Sequence, residues 1–526
     1  MDIGYLTRQT TWDLRQLDPD RPALSLEDEV TWTYGELHAQ SNAYANSLLG
    51  LGVGKGDRVA ILMHNSMEYW ALYLGIVKIG AIAVRLNFRL TSAELEFVIG
   101  DSGTTVLCLD DGDGLAERID AVRDRLDVRA YFCLATGERP AVPHWARAWD
   151  ELAGGSREEP PAERPSDDDA AMLMYTSGTT GRPKGALWTH GNTAWFAAIQ
   201  AMRWKFGPET VAMVNGPLYH VGGIEDSSIA ALATGGHVVI IRSGKFDIRR
   251  VLQIAAHHGV TDVFLFPFMI YEMIDLPDLD GLDLSKMKRI LSGGDPVLPY
   301  AISWLVERYP IEFVQVYGLT EGTPIIAASQ GDEALRYPNS VGRPMPFSEI
   351  SIRDDEGGVL PAGETGEIWT RSPVVCGEYW GRPDATAETF VDGWCRTGDN
   401  GYTNEAGLLV VSGRKKDMIR SGGENIYPAE LEDVLIRHEA VQDVAVIGVP
   451  DPKYNETVCA VIVQAPGKTL TEQEIVEFSR EHLAGYKKPR FVVFVSELPR
   501  TPSGKIMKFV LREKYQGIPQ DTKPLS

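Results

Sequence analysis

The segment Tyr175-Thr-Ser-Gly-Thr-Thr-Gly-Arg-Pro-Lys-Gly185 constrains this chain more than any other. It sets four small hydroxylated residues, three glycines and a lysine between an apolar strand and a helix. The run Ala170–Met174 reads as a buried strand, and Asn192 or Thr193 is placed to cap a helix beginning near Trp195. Such a connection is a loop for phosphates. Gly178 and Gly181 let the backbone approach an anion, the hydroxyls of Thr176, Ser177, Thr179 and Thr180 donate to its oxygens, and Lys184 supplies charge. It is not a Walker loop, because Arg182 and Pro183 separate Gly181 from Lys184.

A chain of 526 residues exceeds what one hydrophobic core serves, so at least two domains are expected. Hydrophobic content of 44% and charged content of 24% are those of an ordinary soluble protein. The formal charge of −22, from 51 basic and 73 acidic residues, argues against nonspecific nucleic-acid binding and points to small-molecule partners. No apolar run approaches a membrane span, and Met1–Pro22 lacks the apolar core of a signal peptide. Lys523-Pro-Leu-Ser526 is not a peroxisomal address. Five cysteines scattered without metal-ligand spacing fit reduced thiols in the cytoplasm.

Strand-like and helix-like segments alternate, as in Arg58–Met63, Glu68–Ile79 and Ala81–Val84, which is α/β layering. The polar stretch Gly154–Asp169 is an exposed connection. A domain boundary is expected near Gly413–Asp417, followed by a unit with its own pattern: helix Pro428–Ile436 and strands Asp443–Ile447 and Val458–Val463. The cluster Gly50-Leu-Gly-Val-Gly-Lys-Gly56 follows a helix and precedes a strand, the reverse of a dinucleotide fingerprint, so it reads as a helix stop and turn.

Six further motifs follow the loop in order: Ser292-Gly-Gly-Asp295, Tyr317-Gly-Leu-Thr-Glu321, Arg396-Thr-Gly-Asp399, Gly413-Arg-Lys-Lys-Asp417, Ser421-Gly-Gly-Glu-Asn425 and Pro499-Arg-Thr-Pro-Ser-Gly-Lys505. With them the chain resembles the adenylate-forming superfamily of acyl-CoA synthetases, aryl-CoA ligases, luciferases and peptide-synthetase adenylation domains, from about Thr31 to about Arg512. The resemblance implies an α/β fold. A large multi-layer N-terminal domain of mixed sheets and helices spans residues 1–413, a hinge 414–416, and a small mobile α+β lid 417–526. It implies that a carboxylate attacks the α-phosphorus of ATP, pyrophosphate leaves, and the acyl adenylate reacts with a thiol.

The resemblance assigns roles by motif. The loop residues Thr176 to Gly181 and Lys184 handle the β- and γ-phosphates. Thr320 reaches the α-phosphate, and Glu321 is the Mg²⁺ ligand, a hard oxygen donor for a hard cation. Gly293, Gly294 and Asp295, with Tyr317 and Gly318, frame the adenine, while Asp399 and Arg414 bind the ribose. Lys505 is the catalytic cation of adenylation, and Lys416 is the hinge between an adenylating and a thiol-transferring pose, the latter with a channel beside Gly423. Tyr454 offers a face to the adenine of CoA, in Tyr454-Asn455-Glu456 where the family often has Trp-Gly-Glu.

His220, in Pro217-Leu-Tyr-His-Val-Gly-Gly223, matches the gating histidine beside the acyl carbonyl. Two acids follow, Glu225 and Asp226, where fatty-acid enzymes of the family continue with apolar residues. An ionised acid in an apolar tunnel is costly unless paired. Asp226 therefore either turns into a structural hydrogen bond or receives a polar group of the substrate, such as an amino or hydroxyl substituent on an aromatic acid. Arg85 replaces a proline common before Leu86-Asn87, with no counterpart in the motifs.

The leading expectation is an ATP-, Mg²⁺- and CoA-dependent ligase for an aromatic, arylpropenoic or medium-chain acid. A carrier-protein ligase, or a diazotase activating nitrite toward an aryl amine, keeps the same first chemistry. A silent nucleotide-binding protein is the reading from another class, opposed by Lys505, Glu321 and the full loop. A homodimer is left open.

Overall fold

The computed structural model describes residues 20–136, 142–176, 183–226, 228–244, 246–276, 279–294, 296–421, 424–451, 454–483, 485–500 and 506–518. The chain divides into two compact units, Met1–Ile350 with Thr370–Arg396, and Ser351–Trp369 with Thr397–Ser526.

Two large sheets organise the first unit. The eight-stranded sheet runs in the order Glu378–Tyr379, Lys184–Thr189, Ala170–Thr176, Ile82–Arg85, Arg58–Leu62, Val106–Asp110, Ala130–Leu134, Arg147–Ala148. Its strands from Ala170–Thr176 onward are mutually parallel, and Ala170–Thr176 turns back antiparallel onto Lys184–Thr189. Burial on both faces explains the nearly continuous apolar runs Val59–Leu62 and Val106–Leu109. The nine-stranded sheet orders Arg343–Pro344, Thr323–Gln330, Glu312–Leu319, Arg289–Ser292, Asp262–Phe264, Val211–Val214, His237–Ile240, Pro22–Leu26, Val30–Thr33. Its six strands from Glu312–Leu319 to Pro22–Leu26 are parallel. A further five-stranded sheet orders Glu349–Arg353, Gly366–Arg371, Trp394–Thr403 and Phe390–Val391, with Leu409–Arg414 also on Trp394–Thr403.

Local sequence explains the helix ends. Ser66 caps Met67–Lys78, and Thr33 and Thr91 form capping boxes with Glu36 and Glu94. The helix after strand Lys184–Thr189 starts earlier than expected. It spans His190–Trp204, capped by Thr189, and Asn192 occupies the third helical turn position, where its side chain returns the bond. The cap is Thr189, not Asn192 or Thr193, because Thr-x-x-Asn supplies both halves of the box. The cluster Gly50–Gly56 ends helix Tyr34–Gly50 and turns into Arg58–Leu62, with Gly52 and Gly56 at φ of 73° and 83°.

In the second unit a five-stranded sheet orders Glu424–Ile426, Ile419–Ser421, Asn455–Gln464 and Val441–Asp451, with Phe491–Val495 parallel to Asn455–Gln464. Alternation separates its two apolar faces: Val444, Val446 and Ala460 pack on one side, Ala445, Ile447 and Val461 on the other. All five cysteines are buried and free.

Candidate active site

The strands Ala170–Thr176 and Lys184–Thr189 pair so that Thr176 lies opposite Lys184. Ser177, Gly178, Thr179, Thr180 and Gly181 lie outside the described residues. At this strand end Thr176 Oγ1 donates to Glu321 Oε1 at 3.0 Å, and Tyr379 Oη donates to the same oxygen at 3.0 Å. Lys184 Nζ lies 5.2 Å from the centre of the Tyr379 ring. Burial, then the Glu321 charge, pushes the Tyr379 phenol well above its ordinary range, so it stays protonated and donates. Among the described residues no group of three or more His, Cys, Asp or Glu side chains could hold a metal. One carboxylate held by hydroxyls nevertheless fits Mg²⁺, which commonly takes one or two carboxylates and completes its shell with phosphate oxygens and water. When bound there, the cation would neutralise charge on the phosphates.

Thr320 and Glu321 lie on the hairpin between Glu312–Leu319 and Thr323–Gln330, closed where Leu319 pairs with Thr323. Trp188, fully buried, donates its indole N–H to the Thr320 carbonyl at 3.0 Å. Gly318 is required by space: a Cβ there would lie 2.1 Å from the Pro324 carbonyl oxygen. Thr323 closes the hairpin at φ 134°, a conformation L side chains rarely adopt. Gly293 fits for the same reason as Gly318, since a Cβ would meet Val316 at 2.7 Å, and Gly294 takes φ 89°. Tyr317 is half-buried at the end of the strand beside Gly293. Asp295 lies outside the described residues.

His220 caps the short helix Val221–Ile224, its Nδ1 accepting from the Gly222 N–H at 3.1 Å. In the neutral ring the proton then sits on Nε2. Gly222 is the meeting point of the turn: a Cβ there would lie 3.4 Å from His220 Nδ1, 3.6 Å from Asp226 Oδ2 and 4.0 Å from the Phe266 ring. The same ring lies 3.6 Å and 3.9 Å from the corresponding positions of Gly216 and Gly294. Phe266 thus joins the His220 turn to the Gly293-Gly294 motif.

Asp226 is 7% exposed, and its Oδ1 is buried without a hydrogen-bond partner. Burial, and after it the Glu225 charge, raises its carboxyl well above the ordinary value. Glu225 is a separate matter: it is ion-paired with Arg85 at 2.6 Å, both side chains fully buried. Neither Arg85 nor Tyr379 carries a role in the motifs. The only sequence signals are an arginine inside an apolar strand and a Tyr in Gly377-Glu-Tyr-Trp-Gly381.

In the second unit Asp399 and Arg414 face each other across paired strands, with Arg414 Nε 2.9 Å from Asp399 Oδ1. Lys416 is exposed in the single 3₁₀ turn Lys415–Asp417. Its neighbours are tied down, Lys415 to Asp355 and Glu367, and Asp417 to Arg512. The Tyr454 ring lies under the Arg490 guanidinium at 5.2 Å. Asn455 takes φ 72°, a region that Asn tolerates better than most side chains. Gly423 and Lys505 lie outside the described residues.

Residues 13–380 match the family model described as AMP-binding enzyme, and residues 430–505 match that of the AMP-binding enzyme C-terminal domain. The chain belongs to the AMP-binding enzyme family. This AMP-binding enzyme is 37% identical over 511 residues to a long-chain-fatty-acid–CoA ligase of Mycobacterium tuberculosis, covering 96% of the chain and 98% of that protein. It is 38% identical over 483 residues to a feruloyl-CoA synthase of an Amycolatopsis species, covering 92% and 94%. Its fold matches that of an anthranilate CoA ligase solved with anthranoyl-AMP, at TM-score 0.89 and 26% identity over 99% and 98% of the two chains. It is an adenylate-forming enzyme, and the CoA ligases of this family use ATP, Mg²⁺ and CoA. No helix among its described residues is long and apolar enough to cross a membrane.

Proposed function

We propose that this enzyme is an acid:CoA ligase whose acid is aromatic or arylpropenoic and carries a hydroxyl or amino group. The observation that carries the reading is Asp226: buried, with an unpartnered oxygen, beside His220 and the Phe266 ring. A buried carboxyl oxygen without a partner opposes an alkyl chain and suits a polar substituent, because burying a polar atom is costly until it is hydrogen-bonded. A feruloyl-CoA synthase and an anthranilate CoA ligase among its likenesses act on substituted aryl acids of this kind.

In this reading the loop with Thr176 and Lys184 holds the phosphates, Thr320 the α-phosphate, and Glu321 the cation. Gly293, Gly294 and Tyr317 seat the adenine, and Asp399 and Arg414 the ribose. The substrate carboxylate forms a bond to the α-phosphorus as the bond to pyrophosphate breaks, with Lys505 offsetting the developing charge. The CoA thiolate then takes the acyl group and AMP leaves. Lys416 is the hinge between these steps, and the Tyr454 ring receives CoA.

The test is pyrophosphate release with cinnamic acid and its hydroxy or amino derivative, with and without CoA. Asp226→Ala should lower kcat/KM for the substituted acid about 5- to 150-fold, corresponding to ~1–3 kcal/mol for an unsatisfied polar group. The plain acid should lose nothing. Equal changes for both acids would return Asp226 to a structural role.

A further inference from the structure

Arg85 ends the strand Ile82–Arg85, beside Met174 of the strand that leads into the phosphate loop. Its side chain is fully buried, yet the guanidinium makes directional contacts with the acid-site turn. Nη1 donates to Glu225 Oε1 at 2.6 Å, and Nη2 donates to the carbonyl oxygens of Leu218 at 2.5 Å and His220 at 2.9 Å. The Tyr73 ring lies 5.7 Å from the guanidinium carbon. The far side of the turn is held as well: the Glu225 carbonyl accepts from Gln200 at 2.7 Å, and Gly223 packs where a Cβ would lie 2.4 Å from the Pro217 carbonyl oxygen.

A buried ion pair is weak evidence for stability, since well-packed apolar residues of similar volume often serve as well or better. Its distinctive property here is geometric. One planar fork spans the backbone on both sides of Tyr219, the carbonyl of His220, and the side chain immediately before Asp226, which an apolar pair cannot do. It also commits the guanidinium to Glu225, while Asp226 Oδ1 stays without a partner.

We propose that Arg85 and Glu225 are a positioning pair that fixes the Leu218–Asp226 turn, and through it the placement of His220 and Asp226, so that the pair governs acid recognition. The proposal rests on the reading of Asp226 given above. The experiment uses the full chain and acid-dependent ATP–pyrophosphate exchange, measured on Arg85→Met/Glu225→Met, Arg85→Lys and the wild type, with thermal midpoints alongside. The double variant removes both charges together, and Arg85→Lys keeps a cation for Glu225 but lacks the fork. In both, the KM for the acid should rise about tenfold or more while the KM for ATP stays within about twofold, and the preference for the substituted acid should narrow. A pair that serves stability alone predicts the reverse: a double variant with a wild-type midpoint would regain the wild-type acid KM. That result, or acid and ATP KM rising together, overturns the proposal. If the double variant does not fold, Arg85→Lys decides by the same ratio of KM changes. A wild-type enzyme indifferent to substituents would overturn the Asp226 reading alone, because the split between acid and ATP KM would still report on Arg85.

Discussion

The carboxylate of Glu321 is oriented by two hydroxyls on one oxygen, Thr176 from the loop strand and Tyr379 from a short edge strand. A ligand whose supporting partners are removed loses its aim before it loses its charge, and such partners are typically worth 10- to 100-fold in metal affinity. Tyr379→Phe deletes only the oxygen, and the ring keeps its packing against Phe390 at 5.7 Å. The variant should therefore fold normally and require about tenfold or more Mg²⁺ for half-maximal adenylation and for Mg²⁺-dependent ATP binding by calorimetry. Unchanged Mg²⁺ dependence would remove Glu321 from the cation site. Arg85 shows the same economy at another position: one side chain reaches residues up to 140 positions away in sequence.

At the scale of elements, the hairpin of Thr320 and Glu321 depends on Gly318, whose missing side chain lets Pro324 approach. Gly318→Ala puts a methyl against a backbone carbonyl that cannot rotate aside. The hairpin must shift, at a cost of about 1–3 kcal/mol typical of overpacking, and carry Glu321 with it. Adenylation should fall by about 10²-fold or more, with a lowered thermal midpoint; a variant with wild-type turnover would show that the hairpin has slack. Such elements were legible in sequence where chemistry is local. The loop strand shows as an apolar run before Ser, Thr and Gly, and the turn at Gly50–Gly56 as glycines after a helix. The helix His190–Trp204 starts before Asn192 because Asn192 serves as the partner in the Thr189 capping box and not as the cap itself. The Arg85–Glu225 pair and the reach of Phe266 across three glycines were not legible, since each joins residues that only the folded sheets bring together. Asp226 could be named from its motif, but the burial that raises its carboxyl could not.

For the whole molecule, two half-reactions share one chain, and the proposed hinge and catalytic lysine make opposite demands on it. Lys416 sits in a 3₁₀ turn whose ordinary φ suits proline, with anchored residues on either side. Lys416→Pro should accordingly fold and lose chiefly the freedom to change pose. Adenylate formation in a single turnover should persist, while transfer to CoA slows. Lys505→Ala should give the complementary profile, with acid-dependent pyrophosphate release reduced about 10²-fold or more, ~3 kcal/mol of transition-state stabilisation, and thioester formation from presynthesised acyl adenylate largely spared. General damage would lower both half-reactions in either variant, so neither profile alone is decisive. The crossed pair is: a hinge that matters only for the second step and a cation that matters only for the first cannot both arise from loss of stability. Equal losses in both steps would end the hinge reading for Lys416 and the catalytic reading for Lys505 separately, each on its own measurement.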